Sequence, residues 1–268
     1  MLGPAFKPRD ARRSGGLQWK TRNPPEKDDR MNRVTWTVDE NDVAVITLND
    51  GENRFNPPFL ASFLDALDAV EGDTGAKALV VTSAHEKIFS NGIDLDWLAP
   101  LIQAGKTEEA QAFFEQMMAL FRRILLYPMP TIAAVSGHAF AGGAILCCAF
   151  DFRFMRSDRG FFCFPEVDLG IPFLPGMIAI VTRALSYQVF EEMQYTGMRL
   201  TAGQCVEKGF VTRACPREEL RGEAVGFAAG LGKRREVVRE MKRRTHREIL
   251  RVLEEEDPPV IASGVFSV

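Results

Sequence analysis

Histidine is scarce in this chain. His85, His138 and His246 are the only three among 268 residues, and they stand too far apart for the sequence to offer a zinc site. The five cysteines, Cys147, Cys148, Cys163, Cys205 and Cys215, are odd in number and lack metal-ligand spacing. Cys147 and Cys148 sit inside the apolar run Ala-Ile-Leu-Cys-Cys-Ala-Phe, where buried thiols in a reducing compartment are expected. No GxGxxG spacing occurs, and the glycine-bearing stretch 137–143 lacks the Lys-Ser/Thr ending of a P-loop. Dinucleotide and nucleoside triphosphate readings weaken together. Charge of one sign is also missing: 33 Lys and Arg meet 36 Asp and Glu, a net charge of -3. That balance speaks against a general nucleic-acid binder or a membrane-surface protein, and no apolar run approaches transmembrane length. A small-molecule partner is the default.

A hydrophobic content of 46% in 268 residues can bury a large core, most simply one main domain with appendages. Residues 1–30 mix Pro, Gly, Arg and Lys without apolar periodicity and read as a mobile extension; an organelle transit peptide and an upstream-extended start, with Met31 as the true beginning, both stay open. Residues 31–200 should form the core and 201–268 a helical C-terminal region. From Arg33 the pattern alternates. The stretches 34–38 and 43–48 predict a hairpin turned at Asn41-Asp42. Asn56 is a good N-cap and Pro57 suits a first helical position, ahead of Phe59, Leu60, Phe63, Leu64, Leu67 and Val70 at helical spacing. Residues 78–82 and 131–135 read as short buried strands, 107–126 as a long amphipathic helix ended by Pro128 and Pro130, and 142–148 as a small central helix. Strand-like pieces at 152–155 and 160–164 precede mainly helical sequence from 175 onward. The class is α/β.

Two turns stand out. Ile88-Phe89-Ser90-Asn91-Gly92-Ile93-Asp94-Leu95 and Ser136-Gly137-His138-Ala139-Phe140-Ala141-Gly142-Gly143 each follow an apolar strand-like run and lead into a predicted helix. Such turns leave backbone N–H groups free at a helix start, where an anionic oxygen is favoured. Asp94 is positioned to cap the helix after the first of them.

These two turns, followed by Phe164-Pro165-Glu166-Val167-Asp168-Leu169-Gly170, resemble the crotonase superfamily of acyl-CoA enzymes in order and spacing. Gly51-Glu52-Asn53-Arg54-Phe55 and the segment from Thr196-Gly197 to Gly209 also fall in the expected order, so the likeness spans 34–214. Within the superfamily the motifs are most similar to short plant-type peroxisomal Δ3,Δ2-enoyl-CoA isomerases. The resemblance implies a spiral of strand-strand-helix units, a trimer or an assembly of trimers, and fatty-acid β-oxidation chemistry on an acyl-CoA thioester. Coenzyme A would be part of the substrate, with no separate cofactor. It also implies that the backbone N–H groups of Ile93 and Gly142 stabilise the enolate oxygen, that Glu166 is the acid/base, and that Ser90, Ile93, Asp94, Leu95 and Gly142 bind the CoA thioester. Ser90 and Asn91 suit turn stabilisation equally well.

By the same resemblance a hydratase uses two glutamates around a water, and the first of those positions holds Ile145 here. A dienoyl-CoA isomerase adds an aspartate eight residues past the glutamate, where Leu174 stands. One carboxylate suffices to move a proton from C2 to C4 of a 3-enoyl thioester; another crotonase reaction such as hydration, or a non-catalytic acyl-CoA binder, is the alternative. If Phe161, Phe162, Phe164 and Phe173 line the Glu166 pocket, desolvation raises its pKa. Asp168 and His138 read as structural. The segment 233–251 carries nine Lys and Arg, with Val237, Val238, Met241, Ile249 and Val252 spaced for a buried stripe. Some of these cations could meet CoA phosphates, and RNA binding is a minor alternative. The terminal Gly-Val-Phe-Ser-Val is not a Ser-Lys-Leu peroxisomal address, so a cytoplasmic location is expected.

Overall fold

Alternating apolar residues set the first hairpin of the computed structural model, which describes residues 33–264. Strands β1 (Val34–Val38) and β2 (Val43–Leu48) pair antiparallel, with Val34 opposite Leu48. The turn is closed by Asp39, whose Oδ1 accepts the N–H groups of Asn41 and Val43 at 3.0 and 2.8 Å. After β3 (Arg54–Phe55) comes α1 (Pro57–Asp73), where the Asn56 side chain accepts the Phe59 N–H, as the N-cap pattern predicts. The chain continues through β4 (Ala78–Ser83), β5 (Ile88–Ser90), β6 (Gly92–Ile93), α2 (Leu95–Gln103) and α3 (Thr107–Leu125). Then follow β7 (Thr131–Val135), β8 (His138–Phe140), α4 (Gly142–Ala149), β9 (Phe152–Arg156), β10 (Phe162–Cys163) and α5 (Glu166–Leu169). The C-terminal part holds α6 (Pro175–Ala184), α7 (Tyr187–Thr196), β11 (Arg199–Leu200), α8 (Ala202–Glu207), β12 (Arg213–Cys215) and α9 (Arg217–Ala229). It ends with α10 (Arg235–Thr245), α11 (Arg247–Arg251), a π-helical turn over Val252–Glu256, and α12 (Asp257–Ala262). The expected extension at 1–30 lies outside the described residues.

The main sheet runs β1-β2-β4-β7-β9-β12, parallel from β2 onward. A second sheet, β11-β10-β8-β5, and the small parallel pair β3-β6 stand beside it. Period-two side chains split the main sheet between two cores. Ala44, Ile46, Leu48, Leu79 and Val81 face α1, α3 and α4, whereas Val43, Val45, Val80, Ile132 and Phe154 pack beneath Leu220, Ala224 and Ala228 of α9. The crossovers bring the ends of β5, β6 and β8 to one place, and the site is built there.

The C-terminal helices differ from expectation in one respect. The segment 233–251 is two helices, and the predicted apolar stripe is realised only in part: Val237 and Met241 are exposed, whereas Ile249 packs half-buried against the main core. The inward residues are Lys242 and His246; the Lys242 ammonium lies 2.7 Å from the Asp151 carboxylate and donates to the Met129 carbonyl at 3.1 Å. Burial pulls the Lys242 ammonium below its ordinary pKa, and the Asp151 charge opposes this. Asp151 also accepts the Thr131 N–H, and Arg183 approaches it at 3.6 Å. Arginine guanidinium does the rest of the docking: Arg235 donates to the carbonyls of Glu71, Thr74 and Ala76 where α1 ends. A long cation outcompetes valine here because the facing surface offers the Asp151 carboxylate and the carbonyls of Glu71, Thr74, Ala76 and Met129.

Removing one member of a buried charge cluster leaves its partners uncompensated. Asp151→Ala is expected to lower the unfolding free energy by about 3–5 kcal/mol, and Lys242→Met by clearly less, since Arg183 still faces Asp151. Urea titrations of both variants check the ranking.

Candidate active site

Three glycines bring the two special turns together. A Cβ on Gly92 would lie 2.6 Å from the Gly142 nitrogen and 3.0 Å from the Phe140 oxygen. On Gly143 it would collide with the Ser90 carbonyl, and on Gly137 with the Lys87 carbonyl. Main chain therefore touches main chain, which only glycine permits. Gly92 also has φ +73°, in the left-handed region. Asn53 ties the frame from the side: its amide donates to Ser83 Oγ and to the Phe89 carbonyl, both at 2.8 Å.

The free amides follow from this geometry. In the β3-β6 pair the Asp94 N–H is spent on the Phe55 carbonyl at 3.0 Å. Successive amides of a strand point to opposite sides, so the Ile93 N–H turns away from that ladder. Gly142 is the first residue of α4 and has no intrahelical acceptor for its N–H. The preceding Ala141 holds φ +50°, a strained value for a residue with a Cβ, and delivers the chain into the helix at this angle. At the far end of α4, Arg153 donates to the Cys147 and Phe150 carbonyls and Arg183 to those of Cys148 and Phe150. The helix presents its positive end to the site and its negative end to buried cations.

Ile93 and Gly142 border a cavity of about 400 Å³. Glu166, the first residue of α5, reaches into it and is only 7% exposed. Its Oε2 is buried without a hydrogen-bond partner, and burial pushes the carboxyl up to about 7. Ile145 and Leu174 face the same space and are apolar. The other carboxylate on the lining, Asp96, stands at the mouth, 88% exposed and bonded to Arg54 at 2.8 Å. Glu166 is thus the one buried carboxylate of the lining, able to take up and return a proton near neutral pH.

Other residues fall differently. Leu95 lines the cavity, but Ser90 is fully buried away from it, giving its hydroxyl proton to the Asn53 carbonyl at 2.7 Å and accepting the Gly92 N–H. Ser90 holds the turn, and its hydroxyl is enclosed away from the cavity. Asp94 makes no capping bond to α2; its carboxylate accepts from the Asn56 amide at 3.1 Å, with Arg54 at 3.8 Å. Those partners pull it off the α2 N-terminus, so the capping expectation is corrected. Of the four phenylalanines expected around Glu166, Phe173 lines the cavity, while Phe161, Phe162 and Phe164 do not; Phe162 and Phe164 pack into the core. His138 stacks between Phe140 and Phe161, outside the cavity. Among the lining residues that the sequence did not single out are Arg54, Phe114 of α3, Phe140 and Val260 of α12. The Gly-Glu-Asn-Arg-Phe motif pointed to Arg54; a one-residue lining from a helix has no sequence signal.

The match to a family model is decisive. The model described as Enoyl-CoA hydratase/isomerase covers residues 39–257, most of the chain. The chain belongs to the enoyl-CoA hydratase/isomerase family. Enoyl-CoA delta isomerase 2, peroxisomal, from Arabidopsis thaliana is 34% identical over 180 residues, 65% of this chain and 73% of that protein. Crotonyl-CoA hydratase from Syntrophomonas wolfei is 30% identical over 191 residues, 70% and 72% of the two chains. Among solved structures, an enoyl-CoA hydratase/isomerase family protein from Pseudomonas syringae superposes with a TM-score of 0.79 at 27% identity, covering 87% of this chain and 98% of that one. The crotonase fold expected from the motifs is present. Relatives within the enoyl-CoA hydratase/isomerase family carry both reaction names, so the chemistry rests on the cavity itself.

A paired stability measurement tests the glycine contact. Gly92→Ala is expected to cost at least about 1–2 kcal/mol from the left-handed backbone alone, with further loss from its collision with Gly142. Gly72→Ala, in α1 with open space around it, is expected to gain about 0.5–1 kcal/mol. Thermal or denaturant midpoints of the two variants should move in opposite directions.

Proposed function

We propose that this protein is an enoyl-CoA isomerase that shifts the double bond of a 3-enoyl-CoA into conjugation at C2. The observation that carries the reading is a single buried carboxylate, Glu166, facing a cavity in which Ile145 and Leu174 are apolar. Hydration requires a water to be held and deprotonated against the double bond, and one carboxylate flanked by isoleucine and leucine offers little to hold it. Double-bond migration requires one group that takes a proton at C2 and returns it at C4. The free lone pairs of Glu166 Oε2 and a carboxyl poised at about 7 suit both halves of that transfer.

The intermediate dienolate places negative charge on the thioester oxygen. The N–H groups of Ile93 and Gly142 would hold that oxygen, each such donor being worth about 2.7–4 kcal/mol in the transition state. Both come from main chain, so the side chain at 93 is free to be apolar. The similarity to plant delta isomerases supports the same assignment.

The test is conversion of 3-enoyl-CoA to the conjugated 2-enoyl-CoA, read by the absorbance of the new thioester, with a hydration assay beside it. Glu166→Gln should lower kcat by about 10²–10⁴-fold with KM little changed. The wild-type rate should rise with pH through a midpoint near 7, because the base must be ionised. Efficient hydration by the wild type, or a Gln variant that keeps its isomerase rate, would sink the proposal.

Linkage gives a second, independent readout. The folded carboxyl sits above its unfolded value, so the fold favours the neutral form; that contribution is complete below pH 4 and is lost as pH rises through about 7. Glu166→Gln should therefore be more stable than wild type at pH 8, and the gap should close toward pH 5.

A further inference from the structure

Asp257 is a buried carboxylate that the reaction does not use. It is 1% exposed, and burial pushes its carboxyl up to about 6. Oδ1 accepts the Gly176 N–H at 2.7 Å, and Oδ2 is buried without a partner. Gly176 follows Pro175, which has no N–H, so its amide is the first free donor of α6. A Cβ on Gly176 would collide with Asp257 Oδ2 and approach Leu253 Cδ2 at 2.5 Å. Asp257 therefore caps a helix 81 residues away, and a side chain at 176 would have to push the carboxylate out of this contact.

The local backbone is arranged to make this reach. Pro258 and Pro259 cannot donate to the turn before them, and the chain widens there into the π-helical turn, with the Asp257 N–H going to the Val252 carbonyl. Three residues beyond Asp257, Val260 belongs to the cavity lining, as do Met177 of α6 and Phe114 of α3. The end of α12 is tied to α3, where Gln111 donates to the Ala262 carbonyl at 2.9 Å, and so is the π-helical turn, whose Glu254 meets Arg122 at 2.7 Å. The strap thus spans α3 and α6, and Val260, 37% exposed, borders the cavity that Phe114 and Met177 also line.

We infer that Asp257 is a positioning residue for substrate length: by fastening α12 to the start of α6 it fixes Val260 as a stop for the acyl chain. This rests on the reading that the cavity takes an acyl-CoA. A chain growing into an apolar cavity gains about 0.8 kcal/mol per methylene, roughly fourfold in affinity, until it meets the wall. The wild-type profile of affinity against chain length should climb at that rate and then break.

The experiment uses saturated acyl-CoAs of increasing length, with Kd read by calorimetry, and kcat and KM measured on the matching 3-enoyl-CoAs. Asp257→Ala should move the break to longer chains and raise Kd for shorter ones severalfold, with kcat on the best substrate within about twofold of wild type. Asp257→Asn keeps an oxygen for the Gly176 N–H and should restore the wild-type break. Val260→Trp, at a partly exposed position that tolerates bulk, should move the break to shorter chains at unchanged thermal stability. A uniform loss of affinity across all lengths in Asp257→Ala, or an unmoved break in Val260→Trp, would overturn the inference. Absent isomerase turnover with the binding profile and its shifts intact would count against the proposed reaction alone, while failure of every acyl-CoA to bind would overturn both.

Discussion

The contact between two stretches of bare main chain, Gly92 against Gly142, is the constraint on which the rest of the site depends. It sets where β6 ends and α4 begins, and so which amides are left without partners. It also forces Ala141 into a left-handed conformation and requires the hydroxyl of Ser90 and the amide of Asn53 to be spent on holding the turn. Polar groups that the sequence offers for ligand contact are consumed in making the frame rigid. Preorganised donors are effective because they need no rearrangement when charge develops.

Against that rigid frame the chemistry is set by what is missing nearby. Apolar residues at 145 and 174 leave Glu166 as the one buried carboxylate of the lining, and the same apolar surroundings raise its pKa into a useful range. A polar neighbour at either position would supply a second functional group and end this purely apolar surrounding. One environment thus selects the reaction and tunes the catalyst.

The sequence foretold much of this and failed in particular places for physical reasons. The hairpin, the Asn56 cap, the strands expected at 78–82 and 131–135 and the two turns all carry local signals, whether period-two alternation, a short apolar run, a capping side chain or glycine spacing. Glu166 was legible because it sits in an ordered set of motifs. The apolar stripe predicted over 237–252 failed at Val237 and Met241, because the surface α10 meets is made of carbonyls and a carboxylate, which favours Lys242 and Arg235 over valine. Asp94 failed as a cap because Asn56 and Arg54, close in space, compete for its oxygens. Val260 and Phe114 were invisible because each reaches the cavity as a single residue from a helix placed by long-range packing.

Helix α4 is about 12 Å long by its eight residues, and its two ends are occupied by opposite business. One end meets the substrate oxygen in the proposed reaction; the other is gripped by Arg153 and Arg183, with Asp151 and Lys242 behind them. That back end is wired to α10, more than ninety residues on in the chain. The C-terminal helices are therefore the earth connection of the active site's dipole, and sequence drift in them would be felt at the reacting atoms without any residue of the cavity having changed.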